Sequence, residues 1–339
     1  MVKRGLSRIL YASGLTRLMF TKYKSKRSFI LMYHRIISDR STPIVYPHSG
    51  MVVEEKTFNI QMKYLKKNFK VLPLGDLVNS LKDERENGRI KCSITFDDGW
   101  KDNFDYAFPI LLKYGLPATI FLTTRYVNSF KWFWYDKLIF LIDKLFKSEN
   151  PKKIMKLLPY NLSVELTDIP EKMKDPVSFL DSLIEKVKEF PSQERDDLLD
   201  KLSTLTQASL HENEQNRCFL NWEEIYQMHS KNISFGAHGA SHESLSRLKN
   251  QQIEEEIIES KKEIETHLGD KVEGFCYPDG SYNSEVITIL KRHGFQYACT
   301  TEPGFNGPET DLFQLRRISI HNDISDNIPL FTCRISGLL

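Results

Sequence analysis

The chain has 339 residues, 40% of them apolar and 27% charged, with a formal net charge of +2. That length fits one large domain with an insertion, or two modest ones, and the balance is that of a globular chain with a sizeable core. Near-neutral charge, with no long basic tract interleaved with aromatics, excludes a dedicated nucleic-acid binder.

Residues 1–28 are basic, with no acid before Asp39. Arg8, Gly14 and Arg17 break the apolar runs, so the segment does not read as a signal peptide, and no later stretch is apolar for long enough to span a bilayer. Leu6, Ile9 and Leu10 share a helical face, which is compatible with an interfacial helix on anionic lipid. The plainer reading is a helix docked on the domain. The five cysteines include no Cys-x-x-Cys pair and are odd in number. Reduced thiols fit this better than a disulfide framework. The expected setting is cytoplasmic, with peripheral contact at the inner membrane face as an option; oligomeric state is open.

"SFILMYH" reads as a strand, and "FNIQMKYLKKNF" as a helix with Ile60, Tyr64 and Leu65 on one face. "KCSITFDDG" is a strand ending in a turn. "NFDYAFPILLKYG" is a helix closed by Gly115, and "PATIFLTT" is the next strand. Between Gly115 and Gly236 there is no glycine, and residues 128–219 read as a mainly helical insertion opened by packing aromatics at Trp132, Phe133, Trp134 and Tyr135. "NQQIEEEIIESKKEIETHLG" is an amphipathic helix that buries Ile253, Ile257, Ile264 and Leu268 and solvates its Glu and Lys residues. "SEVITILKRHG" and "FQYACTT" close the pattern as helix and strand. Strands alternating with helices predict an α/β fold with a parallel sheet or βα barrel, in two parts, residues 29–127 and 220–339.

Two motifs carry chemistry. Asp97 and Asp98 end a strand, where adjacent carboxylates repel unless a cation or proton lies between them. His238 and His242 follow another strand at a four-residue spacing, which puts two imidazoles on one face of a helical turn. Two His and one Asp make a three-ligand set with open positions. One Asp then binds the metal, and the other stays free to act as a base.

"TFDDG", "HGASH" and "FCYPDGSYN", in that order and with "LMYHRI" upstream, resemble the polysaccharide deacetylases of the NodB-homology type, carbohydrate esterase family 4. The resemblance implies a distorted (β/α) barrel, a divalent metal, usually Zn2+, and removal of an N-acetyl or less often an O-acetyl group from a sugar. It implies Asp97 as general base and Asp98, His238 and His242 as metal ligands. It also makes "YPDG" (Tyr277, Pro278, Asp279, Gly280) the groove wall, with the Asp279 N–H as oxyanion donor. Trp100 joins these as an expected substrate contact.

Two positions depart from the pattern. Gly239 stands where a hydroxyl residue usually supports the metal loop. Cys276 stands where an Arg usually holds the base, and a cysteine cannot pair with Asp97; Arg316 or Arg317 is the expected substitute. The general acid is His34 or His321, with His34 preferred. The leading expectation is a deacetylase of an acetylated amino sugar in polysaccharide assembly, its substrate soluble or lipid-linked. A deformylase or cyclic-amide hydrolase on the same fold, and a non-catalytic carbohydrate-binding relative, are the alternatives.

Overall fold

The structure, a computed structural model, describes residues 2–23, 27–38, 49–82, 89–147, 176–208 and 217–339. Helices α1 (Val2–Ala12) and α2 (Leu15–Tyr23) lead into β1 (Phe29–Tyr33). A small parallel pair, β2 (Arg35–Ile37) and β3 (Val52–Glu54), precedes α3 (Glu55–Asn68). Next come β4 (Lys70–Val71), α4 (Leu74–Asn79), β5 (Lys91–Phe96), α5 (Phe108–Tyr114) and β6 (Ala118–Leu122). After α6 (Trp134–Lys147), α7 (Pro176–Lys188) and α8 (Ser192–Thr206), the βα rhythm resumes with α9 (Trp222–His229) and β7 (Ile233–Ala237). The chain then runs through α10 (Asn250–Leu268), β8 (Gly274–Cys276), α11 (Ser284–Arg292), β9 (Tyr297–Cys299), β10 (Ile318–Ser319), α12 (Asn322–Ser325) and α13 (Ile328–Ile335).

The main sheet is parallel throughout, in the order β10-β1-β5-β6-β7-β8-β9, with β4 also on β5. Leu315 bridges Cys299 at the β9 end, and Ile318 pairs with Leu31 of β1 at the other. One segment thus links the two ends of the strand order, and the sheet curls into a distorted (β/α) barrel. Every residue of β1 and β6 is buried, which is why these strands read as apolar runs instead of alternating.

Helices cover the outer face. Phe58, Met62 and Leu65 of α3 and Ile253, Ile257 and Ile264 of α10 all lie in the core. The expected face of α3 is rotated, because Ile60 is exposed while Phe58 and Gln61 are buried. The helix after "DDG" opens as a π-helical turn, Asn103–Ala107, before α5, and Gly115 caps it in the left-handed conformation. Asparagines start several helices. Asn221 and Glu224 form a reciprocal capping box on α9, and Asn283 caps α11.

The chain divides into two compact units. The first comprises Met1–Arg40, Gly50–Ser129 and Cys218–Leu339. The described part of the second is Ser49, residues 130–147 and 176–208, and Arg217. It is helical; Trp132, Phe133 and Tyr135 are buried, and Arg195 stacks on Trp134. Residues 148–175 and 209–216 of the expected insertion lie outside the described residues. All five cysteines are buried, and none is in a disulfide.

Candidate active site

Strand β5 aims its residues alternately, so Thr95 and Asp97 share a face. Asp97 continues the ladder, its N–H donating to Tyr33 O at 3.0 Å. The chain then turns through two left-handed residues, Asp98 (φ 77°) and Gly99 (φ 79°). A Cβ on Gly99 would lie 2.8 Å from Leu122 Cδ2, so a side chain there meets both strain and a clash. Asp98 tolerates its conformation only because its surroundings fix it.

His238 and His242 follow β7. They do not sit on a helical turn, as their spacing suggested. Residues 238–242 form a loop, and His242 takes φ 63° to bring its ring back beside His238, centroid to centroid 5.0 Å. His238 Nε2 and His242 Nε2 lie 3.3 and 3.2 Å from Asp98 Oδ1. His238 donates from Nδ1 to Cys276 O at 2.8 Å, so in the neutral ring the lone pair is on Nε2, which faces the carboxylate. Asp98 Oδ1 is buried and accepts no hydrogen bond among the described residues. Acceptors converging on one point, one of them a buried orphan, fit a cation, and these three atoms form a ligand-like group. Asp98 Oδ2 accepts from Trp100 Nε1 at 2.8 Å. Trp100, expected as a substrate contact, thus turns its N–H inward to Asp98. It is 1% exposed, stacks on Phe219 and lies under the Arg35 guanidinium, and its N–H orients a candidate ligand.

Asp97 has a different environment. Arg317 Nη1 and Nη2 donate to its two oxygens, each at 2.7 Å. Burial alone would raise the Asp97 carboxyl; the charge and hydrogen bonds of Arg317 outweigh it and hold the group below its ordinary range. Arg317 is fully buried, and it also donates to Thr300 O, Thr95 Oγ1 and Cys276 Sγ. All five N–H groups of the guanidinium are used. Arg316, the other arginine expected here, is exposed and lies near Glu302 instead. Cys276 does reach Asp97, contrary to expectation: its Sγ lies 3.5 Å from Asp97 Oδ2 and 3.0 Å from Arg317 Nη2. Burial pushes its thiol well up, so it stays protonated as a weak donor. Asp97, His238 and Cys276 also cluster, but the guanidinium already occupies that side.

His34 ends β1 with Nε2 3.8 Å from Asp97 Oδ2. Burial lowers its pKa against the opposing charges of Asp97 and Asp98, so the resting imidazole is neutral. His321 faces Asp323, with Nδ1 to Oδ2 at 3.3 Å. In "YPDG", Tyr277 and Pro278 are buried, and Tyr277 donates to Phe313 O while stacking on Tyr282. Both, expected as groove-wall residues, are turned inward and support the turn. Asp279 (φ 56°) and Gly280 (φ 68°) form the turn itself, with Ser244 Oγ donating to Asp279 Oδ2 at 2.6 Å.

Glu256 was expected on the solvated face of α10. It is 6% exposed and cradles the histidine loop. Its carboxylate accepts from the N–H groups of Ala240 and Ser241, both at 2.8 Å, and from Ser241 Oγ. Gly239 (φ 73°) passes so close that a Cβ would lie 3.1 Å from Glu256 Oε2. The support sought from a hydroxyl at position 239 comes from Glu256, and glycine leaves room for it. A Glu within a run of Glu gives no sequence signal of this role.

The profile of the family described as polysaccharide deacetylase matches residues 84–161 and 197–298, just over half of the chain. The chain belongs to the polysaccharide deacetylase family. It is 23% identical over 297 residues to YxkH of Bacillus subtilis (strain 168), provisionally named a polysaccharide deacetylase, covering 87% of this chain and 72% of YxkH. It is 31% identical over 116 residues to the poly-β-1,6-N-acetyl-D-glucosamine N-deacetylase of Staphylococcus epidermidis, covering 32% of this chain and 40% of that one. Among solved structures, the Streptococcus pyogenes deacetylase PplD, in complex with acetate, superposes with a TM-score of 0.58 at 18% identity, over 88% of this chain and 95% of that one. This last likeness shows the shared barrel. His34 and Arg317 fall outside the matched family segments, so their places at the site rest on geometry.

Proposed function

We propose that this deacetylase hydrolyses the N-acetyl group of an amino sugar in a polysaccharide, with a divalent cation, Zn2+ by its mixed N and O donors, held by Asp98, His238 and His242. The observation that carries the reading is the meeting of His238 Nε2, His242 Nε2 and the orphaned Asp98 Oδ1 beside an Asp97 that Arg317 keeps ionised. The similarity to a poly-β-1,6-N-acetyl-D-glucosamine N-deacetylase supports an N-acetylated glycan as substrate. When bound, such a cation supplies Lewis acidity to the acetyl carbonyl and to water.

The chain's own groups do the rest. Asp97 takes the proton of the attacking water, and Arg317 fixes the orientation of its carboxylate. The turn at Asp279 offers its backbone N–H to the developing oxyanion. His34, neutral at rest and beside Asp97, relays a proton to the departing amine. His321 is the weaker candidate, because its imidazole is engaged with Asp323.

The test is acetate release from partly acetylated poly-β-1,6-glucosamine, assayed on metal-stripped and zinc-reloaded protein. Release only after reloading, lost in Asp97→Asn, is the expected outcome. Zinc binding without turnover on acetylated or formylated sugars would overturn the catalytic reading.

A further inference from the structure

Opposite the site, at the N-terminal ends of the strands, lies a groove of about 1130 Å³. Phe69 and Ile90, which immediately precede β4 and β5, are in its lining. Tyr11, Phe20, Tyr64 and Phe69 give it an aromatic floor, and Arg17, Lys67 and Arg89 are its cations. The two helices that frame it are unusual for this molecule. Leu6, Ile9, Tyr11 and Leu18 are four of the nine large hydrophobic residues exposed among the described residues, and Ile9 (67%) and Leu18 (64%) are the most exposed of all.

α1 is nevertheless firmly seated. Ser7 is buried and its carbonyl meets Cys333 Sγ of α13, while Arg4 pairs with Asp326. The helix therefore docks through Ser7, with Leu10 half-buried one turn on, and leaves Leu6 and Ile9, one turn apart, facing outward. An ordinary surface helix turns most of its apolar side chains to the core, and α1 leaves these two in the open. Lys3, Arg8 and Arg17 are exposed among them, and no acid occurs before Asp39.

We infer that this foot of the barrel docks on an anionic lipid surface. Leu6, Ile9 and Leu18 enter the interfacial layer, and Arg17, Lys67 and Arg89 meet lipid phosphates at the mouth of the groove. Exposed apolar side chains interspersed with cations match the two demands of an anionic bilayer surface, apolar burial and charge neutralisation. A protein partner would need acidic groups set against these positions, whereas a lipid surface supplies them everywhere. No described helix is long and apolar enough to cross a membrane. β5 separates the groove from Asp97 by about 20 Å of strand. Docking by the foot therefore points the catalytic end away from the lipid, toward a glycan chain standing off the surface.

The full chain is to be sedimented with vesicles of phosphatidylcholine alone and of phosphatidylcholine with phosphatidylglycerol. At least about tenfold stronger binding to the anionic vesicles, weakened by salt, is expected. Ile9→Glu with Leu18→Glu should abolish it, and Arg17→Ala should weaken it roughly fivefold. Acetate release from a soluble substrate should be unchanged in all variants, which also verifies that they fold. Equal binding to both vesicle types, no binding to either, or full binding by the Ile9→Glu/Leu18→Glu variant would overturn the proposal. So would inhibition of vesicle binding by millimolar inorganic phosphate with no effect of the apolar substitutions.

Discussion

The two ends of the sheet treat charge in opposite ways. At the C-terminal end, Asp97, Arg317 and Glu256 are buried and matched donor for acceptor within the chain. At the N-terminal end, Arg8, Arg17 and Leu18 are exposed on helices anchored by other side chains. Interior charges this well partnered cannot be changed singly without cost, because removing one partner leaves the other buried and unpaired. Surface groups at the foot carry no such dependence. One end is organised around a point in space, the other around a plane outside the molecule.

Mutation should separate the ends, and the largest effect is expected at Asp97, the proposed base. Asp97→Asn should lower kcat by about 10²–10⁴-fold with zinc content, measured by elemental analysis, unchanged. Arg317→Ala should cost about 3–5 kcal/mol in urea denaturation. Adding Asp97→Asn to it should recover part of that loss, since the stranded charge is then gone. Recovery of none would mean that Arg317 acts mainly through Thr95, Thr300 and Cys276. Glu256→Gln should weaken zinc binding about 10–100-fold through the histidine loop, read by competition with a chelating dye. Trp100→Phe keeps the stack on Phe219 and loses only the hydrogen bond to Asp98, so the same assay should show the lower end of that range. At the foot, Ile9→Glu and Leu18→Glu should move stability by no more than about 0.5 kcal/mol. A larger change would place those side chains in the core and dissolve the contrast.

How much of this was legible depended on whether a role is written in one segment or in several. The strands of β1, β5 and β6 were readable as apolar runs, and the Asp97–Asp98 and His238–His242 motifs were readable as local spacings. The choice between Arg316 and Arg317 was not. Neighbours in extended backbone point to opposite sides, and only the return of the Leu315–Ser319 segment from β9 to β1 decides which one faces Asp97. Trp100 was placed among the substrate contacts because a motif does not tell inward from outward. Glu256 was hidden among like residues, and the helical period places it beside Ile253 and Ile257 only once the burial of that edge is known.

The five-donor coordination of Arg317 has a consequence for how such a site can change. The cation that holds Asp97 comes here from the segment leading into β10, and Cys276, on β8, accepts its last N–H. An arginine at 276 would duplicate the guanidinium and bury a second positive charge against one carboxylate. Losing Arg317 first would leave that carboxylate with none. Moving the arginine from one strand to the other therefore passes through an impaired intermediate in either order. The small, neutral, polarisable sulfur makes the present arrangement a local optimum that single substitutions do not readily leave.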